Sequence, residues 1–106
     1  MVDGSNDDVV IVIGSFEGSA VDAWGRAIAE AVALQSPRLV IDLRHCPVVD
    51  AAGIAVLLQA HRAMMHAGGR MVLRAPTDRV GRTLRLAGLV QVFEIEQSDG
   101  VGTETA

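Results

Sequence analysis

Aromatic residues and cysteine are nearly absent from this 106-residue chain. With two phenylalanines, one tryptophan and no tyrosine, the chain must fill its core with valine, leucine, isoleucine and alanine, as is typical of α/β layer structures. The single cysteine, Cys46, cannot form an internal disulfide, which favours a reducing cytoplasm. The length predicts one domain, 1–106, with a core at 9–96, a polar leader at 1–8 and a tail at 97–106.

Excess positive charge and long apolar runs are missing as well. The formal net charge of −4 argues against nucleic-acid binding through a general basic field. No run reaches the roughly 18 apolar residues of a membrane span, and the acidic start is unlike a secretory signal. We therefore expect no direct membrane insertion, while docking on a membrane-bound partner stays open.

The sequence also lacks the spacings that catalytic and metal sites require. His45 and Cys46 have no second cysteine to complete a ligand set, and His61 and His66 are five residues apart rather than four. No carboxylate has a histidine or nucleophile at motif spacing, and no glycine-rich phosphate loop opens a helix. We expect no enzyme activity, no metal and no cofactor.

Short apolar runs alternate with helical patterns along the chain. Strands are predicted at residues 9–13, 39–43, 71–74 and 92–95. Helices are predicted from a Ser19 cap to about residue 34, over 51–66, and from a Thr77 or Asp78 cap to Gly88. Short connections between such units favour a largely parallel sheet. The predicted fold is a small α/β sandwich of about four strands and three main helices.

The most informative stretch is residues 40–58, where an apolar strand turns into an amphipathic helix at Asp50-Ala51-Ala52-Gly53. Asp50 is the best helix cap in the chain, because its carboxylate can accept from orphan backbone N–H groups and complements the helix dipole. The layout resembles the STAS family of bacterial anti-sigma factor antagonists. Further segments match in order, namely Gly14-Ser15-Phe16-Glu17, Ala67-Gly68-Gly69, Ala75-Pro76 with the helix after it, and Ala87-Gly88-Leu89 before Val92-Phe93.

Three features depart from the pattern of that family. Its corner usually reads Asp-Ser-Ser-Gly or Asp-Thr/Ser-Ala-Gly, whereas both hydroxyl positions are alanine here, Ala51 and Ala52, and the second of them is the phosphorylation site of the family. The strand with which the family usually begins can be at most a short one here, because the residues before Val9 are polar. The usual C-terminal helix of the family has no counterpart in this sequence. Sheet edges exposed in this way invite pairing with another chain, which leaves a homodimer open.

The resemblance implies a protein-binding regulator of transcription in the bacterial cytoplasm, whose partner is an anti-sigma factor of the serine kinase type. Phosphate at the corner would add about −1.5 to −2 charge and act as an off-signal, which Ala52 cannot carry. One interpretation is an antagonist that lacks the switch. The alternatives are a regulatory STAS subunit of an ABC-type lipid-transport ATPase, and a module that senses an anion or nucleotide at the helix start.

The second helix is expected to turn one stripe toward the sheet and a small, apolar face toward a partner. The inward stripe comprises Ile54, Leu57, Leu58, His61 and Met65. The predicted partner contacts are Asp50, Ala51, Ala52, Gly53, Val56 and Gln59. The alternative is that this face only touches a neighbouring loop of the same chain and binds no partner.

Arginines recur at every third position of the third predicted helix, at Arg79, Arg82 and Arg85. Such a row can bind an acidic partner or a phosphate. A solvated helix face explains the same row without any ligand, and we favour that interpretation from the sequence.

Overall fold

The computed structural model describes residues 8–97. Strands and helices alternate strictly along this part of the chain. The elements are β1 (Asp8–Val12), α1 (Ala20–Ala33), β2 (Arg38–Asp42), α2 (Ala51–His66), β3 (Arg70–Arg74), α3 (Asp78–Leu86) and β4 (Glu94–Glu96). Most of the leader predicted at 1–8 and of the tail predicted at 97–106 lies outside the described residues, while Asp8 is the first residue of β1.

The four strands form one parallel sheet in the order β1-β2-β3-β4. The predicted α/β fold, with three helices and a four-stranded parallel sheet, is therefore confirmed. Strand boundaries move by one or two residues, most clearly at β4. Val92 N and Phe93 N both donate to Leu89 O, which keeps the chain in a turn until Glu94.

The helix starts follow local capping only in part. Thr77 Oγ1 accepts from Val80 N at 3.2 Å and so caps α3, as predicted. Ser19 stands at the N-cap position of α1, but its hydroxyl makes no cap hydrogen bond. The reason is its backbone, which already has helical angles (φ −67°, ψ −19°) rather than the extended ones that aim a capping side chain at the helix.

One face of the sheet carries the hydrophobic core. Strand residues such as Ile41 and Leu73 are fully buried there, as is Ile13 directly after β1. All three helices contribute buried residues to the same core, so they lie on one side of the sheet.

Ion pairs connect the strands on the opposite face. Arg38 on β2 pairs with Asp8 on β1 and with Glu96 on β4. Arg74 on β3 also pairs with Glu96, at 2.6 Å between Nε and Oε1. These guanidinium groups, that of Arg74 first, lower the pKa of Glu96. The face away from the helices is thus held by charge pairing between strands that are distant in sequence.

β1 and β4 are the two edges of the sheet formed by the described residues. On β1, Val10 and Val12 are exposed on the face away from the helices. An apolar edge strand suits pairing with a second chain, and the homodimer stays a prediction.

α2 packs on two sides, against the sheet and against α1. Its buried residues are Gly53, Leu57, Ala60 and Met64. The predicted inward stripe is right at Leu57 and wrong at Met65, whose side chain is 61% exposed. The stripe is rotated toward Ala60 because α1 covers a second flank of the helix, which a single-face pattern does not anticipate.

Candidate functional site

A single carboxylate, that of Asp50, holds the turn between β2 and α2, which we call the corner (residues 50–53). Oδ1 of Asp50 accepts from Gly53 N and Oδ2 accepts from Gly18 N, each at 2.9 Å. The first bond caps α2, and the second ties the β1–α1 loop to the corner. The N–H groups of Gly18 and Gly53 lower the pKa of Asp50, so the carboxylate is ionised at neutral pH.

Phe16 is the second anchor of the corner. Phe16 N donates to Val48 O at 2.9 Å, and Phe16 O accepts from Asp50 N at 3.1 Å. Phe16 and Val49 form an isolated parallel bridge, and the Phe16 ring is fully buried. The Phe16 carbonyl lies so close to α2 that a Cβ at Gly53 would be 2.7 Å from its oxygen. Glycine at this position therefore allows the loop and the helix to meet.

Three of the predicted partner contacts lie on the surface of α2. Ala51 and Ala52 are exposed as the first two residues of the helix, and Gln59 is exposed about two turns farther along. The two alanines present methyl groups directly beside the Asp50 cap. This end of the helix is therefore small and apolar apart from the capping carboxylate.

The other three predicted contacts have less exposed positions. Asp50 is half-buried in the corner, and Gly53 is buried with no side chain to offer. Val56 packs against α1, where a Cβ at Gly25 would lie 3.7 Å from its Cγ2. The exposed residues of α2 are the ones whose side chains can reach a partner directly.

The β1–α1 loop is the part of the site that sequence reasoning missed. Glu17, Gly18 and Ser19 are exposed, and Gly18 adopts a positive φ of 57° as its N–H bonds to Asp50. The predicted parallel sheet could have revealed this loop, because the loops that follow neighbouring parallel strands meet at the carboxyl edge of a sheet. The residues 17–19 and 50–52 together form one surface, which we call the corner surface.

A cavity of about 190 Å³ lies between α1 and α2. It is lined mostly by small and apolar residues, namely Gly25, Ala29, Val32, Val56, Gln59, Ala60 and Ala63. Two predicted partner contacts, Val56 and Gln59, thus line a groove rather than a flat helix face.

Cys46 and His61 make structural contacts. Cys46 is buried, its thiol donates to Val48 O at 3.3 Å, and burial raises its pKa. His61 packs edge-on against Phe93 with 5.6 Å between the ring centres. Within residues 8–97, no three histidine, cysteine, aspartate or glutamate side chains are placed to hold a metal ion. None of the helices described is both long and apolar enough to cross a membrane.

Three solved structures share this fold at low sequence identity. A crystal structure of a candidate anti-sigma factor antagonist from Thermotoga maritima has a TM-score of 0.78 at 15% identity, covering 89% of this chain and 82% of that chain. The unphosphorylated anti-sigma factor antagonist SpoIIAA has a TM-score of 0.70 at 21% identity, covering 92% and 81%. A sulfate transporter family protein from Wolinella succinogenes has a TM-score of 0.73 at 17% identity, covering 88% and 80%.

Structural similarity at such low sequence identity shows that the fold is shared. It does not assign the activity of any of these neighbours to this chain. The family assignment comes from the sequence, since a model of the STAS domain matches residues 2–100. That match spans both loops of the corner surface and all seven elements of the fold. The chain therefore belongs to the STAS domain family.

Proposed function

We propose that this STAS domain is an anti-sigma factor antagonist that binds an anti-sigma factor of the serine kinase type in the bacterial cytoplasm. By occupying that partner, it would release a sigma factor for transcription. The observation that carries the proposal is the corner surface, an exposed helix start fixed to a neighbouring loop. Two of the structures that share the fold are described as antagonists, which supports the same function.

Rigidity is the first argument for the corner surface as an interface. The two bonds of the Asp50 carboxylate and the backbone contacts of Phe16 hold both loops before any partner arrives. A surface that is already ordered loses little conformational entropy on association, so more of the contact energy appears as affinity. The alanines at 51 and 52 let another backbone approach closely, because they project no farther than a methyl group.

The missing switch is the second part of the proposal. Ala52 is the second residue of α2, exposed and close to the Asp50 cap. A methyl group has no oxygen to accept a phosphoryl group, so residue 52 cannot be phosphorylated. We propose that the antagonist stays in its binding-competent form, and that any control acts elsewhere.

Two alternatives make different predictions. The first alternative is a regulatory STAS subunit of an ABC-type transport ATPase; the Wolinella succinogenes neighbour, a sulfate transporter family protein, is similar in fold and supports only a link to transport in general. A sensor of anions or nucleotides would use the N–H groups at the start of α2. The Asp50 carboxylate already accepts from Gly53 N and would repel an anion at this place, which disfavours the sensor.

Ala52→Asp tests the interface directly. The wild-type protein and the variant are used to capture partners from the native lysate, and the recovered anti-sigma factor is then titrated by calorimetry. Asp in the first turn complements the helix dipole by about 0.3–1 kcal/mol, so the variant should fold at least as well as the wild type. It should bind the partner roughly tenfold or more weakly, because a carboxylate enters an apolar contact.

Ala33→Asp is the matched control, since it adds the same charge at an exposed alanine at the far end of α1. Its affinity for the partner should equal that of the wild type. Equal affinity of wild type and Ala52→Asp would refute the corner surface as the interface. Recovery of a transport ATPase in place of an anti-sigma factor would favour the alternative function.

Ala52→Ser tests the missing switch. With a serine kinase partner and ATP, this variant should gain one phosphate at residue 52 and lose binding as the modification proceeds. The wild type should remain bound throughout the same incubation. Phosphate on another hydroxyl of the wild type, together with loss of binding, would contradict a permanently competent antagonist.

A further inference from the structure

The arginines of α3 differ from those of the sheet in their partners. Arg38, Arg70 and Arg74 on the sheet each pair with glutamates of β4. Among the described residues, no carboxylate lies within ion-pair distance of the α3 arginines, Arg79, Arg82 and Arg85. Three guanidinium groups on one short helix thus have no ion-pair partner in the part of the chain that the structure describes, although the net charge of the chain is −4.

The α3 arginines share one side of the helix. Val80 and Leu84 are fully buried in the core and fix the orientation of α3. The arginines lie on the opposite side together with Leu86, whose side chain is 82% exposed. We call Arg79, Arg82, Arg85 and Leu86 the α3 surface. It combines a row of positive charge with a large apolar side chain.

A polar cavity of about 290 Å³ adjoins this surface. Its lining consists of Pro76, Thr77, Asp78, Gly81, Arg82, Arg85 and Gln97. The side chain of Arg85 folds back over Gly81: a Cβ built at that glycine would be 3.7 Å from Arg85 Nη1. Two guanidinium groups therefore face a recess large enough for a carboxylate side chain. Asp78 is the one carboxylate of α3, and it lies in the first turn, where it complements the helix dipole.

Exposed apolar residues also follow the helix in the sequence. Val90 and Val92, in the connection from α3 to β4, are exposed like Leu86. A ligand that matches the whole region must therefore offer negative charge to the arginines and an apolar group to Leu86 and the valines. Planar guanidinium groups bind carboxylates through two parallel hydrogen bonds, which suits aspartate and glutamate side chains.

We infer that the α3 surface binds an acidic segment of a partner protein, one that carries several carboxylates beside a hydrophobic residue. The inference goes beyond the proposed function, because it concerns a second surface and does not depend on which protein binds the corner. The sequence alone favoured a solvated face. Three observations favour the binding surface: the α3 arginines have no ion-pair partner within residues 8–97, two of them line the recess, and the leucine beside them is exposed.

A nucleic acid is the other polyanion to consider, and three observations disfavour it. The helix is nine residues long, which spans only about 13 Å. No aromatic side chain is available on α3 for base stacking, and the nearest phenylalanine in sequence, Phe93, is buried. The net charge of −4 would oppose a phosphate backbone over any longer contact.

Titration with a synthetic peptide tests the inference on the intact chain. The probe is a ten-residue peptide with six glutamates and one leucine, added at low salt to ¹⁵N-labelled protein. The control peptide has glutamine in place of every glutamate, and a ten-nucleotide single strand of DNA tests the competing ligand. We expect the acidic peptide alone to shift the amide signals of α3 and of residues 89–92. Raising the salt concentration should weaken the binding, since exposed charges are screened.

Charge reversal locates the binding. Arg82→Glu combined with Arg85→Glu should weaken the affinity for the peptide roughly tenfold or more. Arg26→Glu combined with Arg62→Glu makes the same change in net charge at exposed arginines of α1 and α2, and should leave the affinity unchanged. Arg82→Gln with Arg85→Gln should give an intermediate affinity without introducing repulsion.

Several results would overturn the inference. They are failure of the acidic peptide to bind, shifts confined to other elements, equal loss of affinity in the control pair, or tighter binding of the oligonucleotide to α3. Ala52→Asp should not change binding of this peptide. The peptide experiment therefore tests the α3 surface independently of the corner surface, and either surface can be refuted while the other is confirmed.

Discussion

Replacing Gly53 with alanine would place a methyl carbon 2.7 Å from Phe16 O, 3.0 Å from Val49 Cγ1 and 3.2 Å from Phe16 Cδ2. The first neighbour is a backbone atom that also accepts from Asp50 N, so it cannot move without disturbing the corner. The ring of Phe16 is fully buried and has little room to shift. Gly53→Ala therefore forces an overpacked contact between the β1–α1 loop and α2.

The magnitude follows from two opposing terms. Overpacking a rigid contact costs about 1–3 kcal/mol. Alanine is a better helix former than glycine by about 0.8–1.0 kcal/mol, and this gain offsets part of the cost. The net loss should be about 1 kcal/mol, which lowers Tm by about 4–8 °C in a domain of this size. Thermal and urea unfolding monitored by circular dichroism measure both quantities.

Gly25→Ala and Gly81→Ala are matched controls in the other two helices. A Cβ at Gly25 or Gly81 meets its nearest neighbour at 3.7 Å, an ordinary van der Waals distance. Both substitutions should raise stability by about 0.5–1 kcal/mol, because they gain helix propensity without a clash. If Gly53→Ala proves as stabilising as these two substitutions, that result would contradict the close packing of the β1–α1 loop against α2 at the corner.

Two further predictions concern the caps of α3 and α2. Thr77→Ala should destabilise the protein by about 1 kcal/mol, because the hydroxyl that caps Val80 N also donates to Cys46 O; Thr83→Ala, which removes an exposed bond within the helix, should change the urea midpoint little. For Asp50, the folded-state pKa lies below the unfolded value of about 4, so its contribution is complete above that pH and is lost as the pH falls through the folded-state pKa. The stability difference between wild type and Asp50→Asn should therefore shrink on acidification, and a difference independent of pH would contradict the role of this carboxylate.

Local signals in the sequence were sufficient for the order of elements and for the helix starts that use a polar side chain. Short apolar runs of four or five residues predicted the strands, and α2 has the predicted bounds at 51 and 66. Asp50 and Thr77 cap their helices because a short polar side chain can reach N–H groups three residues ahead. Such interactions depend on near neighbours, so a single sequence can display them.

Packing between distant segments lay beyond those signals. Met65 was expected to point inward, but α1 covers a second flank of α2 and rotates the buried stripe toward Ala60 and Met64. The bond from Gly18 N to Asp50 Oδ2 joins residues 32 positions apart. It arises because parallel pairing of β1 and β2 brings the loops after them to one edge of the sheet.

The same distinction applies to charge. The sequence by itself determined that Arg79, Arg82 and Arg85 recur along a helix, and that Ala52 has no hydroxyl. Only the tertiary structure decided which arginines find carboxylates, since Arg38 pairs across the sheet with Glu96, 58 positions away. Strand register and helix placement set such distances, and both depend on contacts between parts of the chain that no local pattern encodes.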